Sequence, residues 1–189
     1  MRTGKVNLRA FSKDGYIINQ QLLQSVPYGM KQSNYNGCGW IAAYNFLHGF
    51  GRKKSWDTVR QQMEDTLLFG GLLGTHVVQL YLYLRRHGFP LRWSWGQKRA
   101  RLQAAQCTAG ILFYCNGYAL HFVTFFPVTP EEREQICSDQ AEPDLSQAWY
   151  RFLNGRMGKQ QDYDTMEHFL QTESQLQVLV QLTTKCPRS

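Results

Sequence analysis

The 189-residue chain has no run of apolar residues close to the length of about 20 that a helix needs to span a bilayer. Its N-terminus is polar and charged, without an apolar segment fit for a signal peptide. It contains no CxxC pair, and its five cysteines (positions 38, 107, 115, 137 and 186) are odd in number and irregularly spaced. That pattern excludes a disulfide framework and argues against a structural zinc site. Internal repeats, low-complexity tracts and a Pro/Gly/Ser-rich linker are also missing, so neither a solenoid nor a two-domain chain is expected. The expectation is one domain over 1–189 in a reducing cytoplasm, with a helical part at about 28–90 and a sheet part at about 91–185.

What is present suits a packed globular protein: 43% hydrophobic and 14% aromatic residues. The net charge of +7 comes from 21 Lys and Arg against 14 Asp and Glu. The basic clusters Arg52-Lys53-Lys54, Arg85-Arg86 and Lys98-Arg99-Arg101 are short and stand at expected helix ends or loops. They read as solvated surface and helix-dipole partners rather than as a nucleic-acid site. Helices are expected over Cys38–His48, closed by Gly49 and Gly51, and over Ser55–Leu68 and Thr75–His87, each opening on a capping residue. Strands are expected over Leu91–Trp95, Ala109–Cys115, Leu120–Val128, Gln147–Leu153 and Leu176–Thr184, with a short helix at Met166–Leu170. Asn116-Gly117 predicts a tight hairpin between the second and third strands. The stretch 129–146 reads as a surface loop or short helix. Helices first and an antiparallel meander afterwards define an α+β fold.

One segment stands out. Gln32 to Tyr44 (QSNYNGCGWIAAY) sets Cys38 between two glycines at the start of an apolar helix, six positions after Gln32. A helix N-terminus favours a thiolate over a thiol. The glycines permit close approach. The Gln32 carboxamide and the Cys38 backbone N–H form a candidate pair of oxyanion donors. A nucleophile needs a base, and His121 opens the apolar strand after the Asn-Gly hairpin. Asn154, at the end of the next strand, is placed to fix the imidazole, with Asp139 and Asp144 as rivals for that role. His48 and His87 at helix ends, His76 near a helix start and His168 on a short helix lack such a constellation. Cys107 and Cys115 read as small core residues, and Trp93, Trp95 and Trp149 as packing aromatics.

This order of glutamine, helix-start cysteine, strand histidine and asparagine resembles the papain-like cysteine peptidases. Gln-x5-Cys-Gly before a small-residue helix is most similar to the bacteriocin-processing, double-glycine-leader peptidases and their free-standing bacterial relatives. The resemblance spans roughly Tyr28 to Leu170. It implies a papain-like fold, Cys38 as nucleophile, His121 as general base and acid, Gln32 in the oxyanion hole and Asn154 orienting His121. It implies a peptide or protein substrate and neither metal nor organic cofactor. The chain departs from the family pattern in Gly37, where many relatives carry Asp, and in Asn154-Gly155, where they carry Asp-Pro. Its spacing from histidine to the third residue is also longer. The same residues would serve an acyltransferase or amidase, and a papain-like shell could bind a peptide without catalysis.

Overall fold

A computed structural model describes residues 6–184 apart from 66, 73, 118, 140–146, 156–159 and 173–176. In chain order the elements are β1 (Pro27–Tyr28), β2 (Lys31–Gln32), α1 (Ser33–Asn36), α2 (Cys38–Gly49), α3 (Trp56–Glu64), α4 (Val77–Arg86), β3 (Leu91–Ser94), α5 (Gln97–Ala104) and β4 (Ala109–Cys115). They continue with β5 (Leu120–Pro127), α6 (Pro130–Asp139), β6 (Trp149–Gly155), β7 (Gln160–Thr165), α7 (Met166–Thr172) and β8 (Gln177–Thr184). Helices dominate the first half. The second half builds a six-stranded antiparallel sheet in the order β3-β8-β4-β5-β6-β7, so the architecture is the expected α+β.

Helix α2 is buried along its length from Cys38 to Leu47. Such a helix cannot lie on a surface, because it is apolar on every side. It sits in the core between α3 and α4 and one face of the sheet, among Trp40, Ile41, Phe46, Leu47, Ile111, Phe122 and Val180. Period-two alternation along β5 divides the molecule. Phe122 joins the α2 core, whereas Val123 and Phe125 join a second core with Tyr114, Phe152 and Phe169 beneath α5 and α7. The Thr124 hydroxyl, on the α2 side, donates to the Ala42 carbonyl at 3.0 Å. Gly49 lies against Phe126, where an added Cβ would fall 2.2 Å from the ring.

The N-terminal segment straps across α2. Asn45, fully buried, accepts from Ile17 N and donates to Ile17 O, both at 2.8 Å, pairing the backbone groups on the side of Ile17 away from its bridge partner Phe11. Arg151 on β6 pins the same segment through Asp14 at 2.6 Å and reaches Glu132 at 3.2 Å.

Several local expectations are refined. Ser55 caps α3 by accepting from Thr58 N. The cap of α4 is His76, not Thr75; its Nδ1 accepts from Val78 N while Gln79 reaches back to His76 N. Thr75 is instead buried and hydrogen-bonded to the Tyr28 hydroxyl at 2.8 Å. The β4–β5 hairpin forms as expected, with Cys115 paired to Leu120; Asn116 Oδ1 accepts from Ala119 N, and Gly117 takes φ 88°. Residues 130–139 are helical, opened by reciprocal Thr129–Glu132 hydrogen bonds. Helix α5 and strand β7 were not anticipated. The buried residues of α5 are only Ala100 and Ala104, and β7 reads QQDYDT, so neither carries an apolar period.

Asn45→Ala should remove about 3 kcal/mol of stability, because it strands both buried backbone groups of Ile17. The check is urea unfolding, with a lowered midpoint at unchanged m. A shift within about 0.5 kcal/mol would show that the strap is not held this way.

Candidate active site

The site is assembled at the tip of α2. The short turn α1 ends at Gly37, which caps α2. Asn36 holds the turn in place: its Nδ2 donates to the Tyr28 and Gly71 carbonyls at 3.0 and 3.1 Å. Trp40 Nε1 donates to Ser33 Oγ at 3.2 Å. Gly39 is required by space, since a Cβ there would lie 2.2 Å from Thr75 Cβ. Thr75, hydrogen-bonded to Tyr28, thus packs against the residue after Cys38, and Tyr28 and Phe122 share its core.

Cys38 is buried, at 9% exposure, and reduced. Burial pushes its thiol up to about 11; the N–H groups of Phe122, Gly39 and Cys38 itself oppose this and only partly offset it. The helix-start amides act as expected, but desolvation is larger. At neutral pH the resting group is therefore a thiol.

His121 is also buried. Its Nε2 lies 2.6 Å from the Asn154 carbonyl oxygen. A carbonyl only accepts, so Nε2 carries the proton and Nδ1 keeps its lone pair. Burial lowers the imidazole pKa, and the bond to Asn154 O opposes that fall. The ring packs edge-on to Tyr114 at 5.6 Å between centroids. By strand alternation it shares a face with Val123 and Phe125, away from α2. Among the described residues no hydrogen bond joins the His121 ring to the Cys38 sulfur. What joins the two segments is packing: Phe122, the next residue along β5, shares the α2 core with Cys38.

Asn154 meets His121 through its backbone, not its side chain. Pairing of β5 with β6 ends at Thr124↔Leu153, and Asn154 takes φ 60° at an irregularity in the β6–β7 register. Asparagine tolerates this left-handed conformation. Its side chain faces Gln20: Oδ1 accepts from Gln20 N at 3.0 Å, and Nδ2 donates to Gln20 Oε1 at 3.1 Å. Gln32 is exposed. The end of its carboxamide lies 3.2 and 3.3 Å from the Gln24 and Val26 carbonyls, so the amide orientation that satisfies them turns the nitrogen that way. Asp144 and the Asp139 side chain lie outside the described residues.

The remaining histidines have local structural partners. His48 meets the Asp14 carbonyl at 2.8 Å, His87 bridges Lys54 and the Tyr83 carbonyl, and His168 pairs with Asp164 at 2.8 Å. Among the described residues no group of three or more His, Cys, Asp or Glu could hold a metal ion. Gln20, Tyr28 and Thr75 at this site were not anticipated. Gln20 belongs to a polar stretch without a motif, and only the chain's path brings it to Asn154.

No protein-family model matches the sequence, and neither does any curated protein. Solved structures are similar in fold. The double-glycine-motif protease of an AMS/PCAT transporter, solved with its leader peptide, superposes with a TM-score of 0.51 at 12% identity, covering 86% of this chain and 91% of that one. The peptidase domain of Streptococcus ComA, a bifunctional ABC transporter of a quorum-sensing pathway, gives 0.50 at 12% identity over 79% and 93%. The chain has the papain-like fold of these peptidase domains. Among its described residues no helix is long and apolar enough to cross a membrane.

In the resting protein, iodoacetamide should modify Cys38 more slowly at neutral pH than the half-buried Cys115, with a rate that climbs roughly tenfold per pH unit as thiolate forms. Peptide mass spectrometry resolves the two sites. Fast labelling of Cys38 that has already levelled off in mild acid would contradict a buried thiol.

Proposed function

We propose that the protein is a thiol peptidase, or a closely related amide hydrolase, acting on peptide substrates of the double-glycine type in a bacterial cytoplasm. The observation that carries the reading is a buried cysteine opening α2, packed in one core with Phe122 of β5, the residue after a histidine whose Nε2–H is tied to the Asn154 carbonyl. Nδ1 is then the ring nitrogen available as base. The fold shared with double-glycine peptidase domains, one of them solved with a leader peptide, supports the same reading.

In this proposal the two groups start neutral and on opposite faces of β5, and on substrate binding the His121 ring turns from its resting face to the Cys38 sulfur. His121 Nδ1 takes the Cys38 proton as the sulfur attacks the scissile carbonyl carbon. The carbonyl π pair moves to oxygen, which the Cys38 N–H and the Gln32 carboxamide stabilise once Gln32 leaves the Gln24 and Val26 carbonyls. The imidazolium protonates the leaving amine, the C–N bond breaks, and a thioester remains. Water, deprotonated by Nδ1, then releases the acid and restores the thiol. An amine in place of water would make the protein an acyltransferase, which product analysis with amine acceptors distinguishes.

Two features favour a second reading, a peptide-binding module without catalysis: the His121 ring lies on the face of β5 away from α2, and burial raises the Cys38 thiol rather than lowering it. One experiment separates the readings. Synthetic peptides with an internal Gly-Gly are incubated with wild-type protein and the Cys38→Ala, His121→Ala and Gln32→Ala variants. The peptidase reading expects cleavage, at least about a 10³-fold loss for Cys38→Ala and a loss of about 10²-fold or more for Gln32→Ala. Peptide binding by wild-type protein and Cys38→Ala alike, with no cleavage by either, overturns it for the module.

The pH dependence follows from the two shifts. His121 is lowered, so it stays an unprotonated base until the solution is more acid than the usual imidazole range. Cys38 is raised, so no limb from its ionisation enters at mildly alkaline pH. The kcat/KM profile should be level across neutral and mildly alkaline pH and fall only in acid. A bell centred in mild acid would indicate a preformed thiolate–imidazolium pair instead.

A further inference from the structure

We infer that Gln20 is a positioning residue of the candidate site, acting through Asn154 on His121; this rests on the peptidase reading for its consequence in catalysis. Gln20 lies in a 3-10 turn, Gln20–Leu22, and is 4% exposed. It uses its backbone N–H, its side-chain oxygen and its side-chain nitrogen at once. The backbone N–H donates to Asn154 Oδ1 at 3.0 Å, and Oε1 accepts from Asn154 Nδ2 at 3.1 Å. Nε2 donates to the Asn34 carbonyl at 3.1 Å. Asn34 belongs to α1, the turn that leads into Cys38. One buried carboxamide therefore joins the cysteine side of the site to the histidine side.

The geometry explains why both partners are carboxamides. Asn154 must present its carbonyl to His121 Nε2, which it does from φ 60° beside an irregular strand end. The reciprocal pair with Gln20 holds that conformation by satisfying both polar ends of a side chain that is 1% exposed. The holder is itself fixed: Asn19 Oδ1 accepts from Gln21 N at 3.1 Å, and the Ile18 and Asn19 N–H groups both donate to the Ala10 carbonyl. Remove the Gln20 side chain and Asn154 keeps one hydrogen bond of the pair, so its carbonyl is no longer held to one direction. His121 then loses the contact that selects its tautomer.

The test uses the whole chain with ¹⁵N-labelled histidine. Gln20→Met keeps length and removes the two side-chain hydrogen bonds, to Asn154 Nδ2 and to the Asn34 carbonyl. Gln20→Glu keeps an acceptor for Asn154 Nδ2 and loses the donor to Asn34. In wild-type protein at neutral pH, the His121 nitrogen shifts should report a protonated Nε2 and a bare Nδ1. Gln20→Met should give a mixture of tautomers, and Gln20→Glu should stay close to wild type. On a double-glycine peptide, Gln20→Met should lower kcat about tenfold with KM little changed, as for other groups that orient a functional histidine. Circular dichroism confirms the fold of each variant, and Gln20→Glu supplies the comparison if Gln20→Met does not fold; that variant should then keep the Nε2–H tautomer while a Gln20→Glu/Asn154→Ala double variant loses it. An unchanged tautomer in folded Gln20→Met, or in the folded double variant, overturns the proposal. A shifted tautomer in a protein that cleaves no peptide leaves the positioning role standing and removes the peptidase reading alone.

Discussion

The seating of α2 on β5 is the constraint on which the rest of the structure depends. A helix apolar on every side must be enclosed, and here the sheet supplies one wall and α3 and α4 another. Its rotation and depth are fixed by contacts that allow little slack. Thr124 Oγ1 meets the Ala42 carbonyl, Gly49 admits Phe126, and Gly39 admits Thr75. With the helix set at three points, the sulfur at its first residue is carried into the core beside Phe122. The candidate site follows from core packing, and no loop has to deliver the cysteine.

That same enclosure decides the electrostatics. Two opposing effects act on Cys38: backbone N–H groups at a helix start lower a thiol pKa, and loss of solvent raises it. The second is larger here. His121 obeys the same rule with the opposite sign, because burial disfavours its cationic form. Both residues are thus driven toward their neutral states by the packing that holds them in place. A charged pair in this environment would need more than proximity. It would need the field of a bound substrate, or the polar contacts a substrate brings.

Much of this was legible in the chain. The helices with strong apolar period and the strands rich in β-branched and aromatic residues were apparent because burial of one face leaves a periodic trace. Helix α5 and strand β7 leave almost none, since one buries two alanines and the other is a polar edge. Thr75 looked like a cap because caps are local, yet a long-range bond to Tyr28 claims its hydroxyl and His76 takes over. The apolar periods of α2 and β5 mark two elements that must pack together, but they do not give the face on which the His121 ring lies, and that ring turns away from α2. The link from Gln20 to Asn154 could not be read from the chain, for it spans 134 positions and no local pattern marks a glutamine whose partner is a left-handed asparagine.

The nature of the group facing His121 connects these points. A carboxylate at Nε2 would raise the imidazole pKa and favour the cation. The Asn154 carbonyl is a neutral acceptor; it fixes the tautomer while adding no full charge. It can do so because Asn154 turns into the left-handed region and Gly155 follows, a path that an aspartate–proline pair would alter: proline fixes its own φ and restricts the residue before it. The neutral acceptor and the buried thiol are therefore matched. Neither group is paired with a full charge at rest: the imidazole meets a neutral carbonyl, and burial holds the thiol in its protonated form.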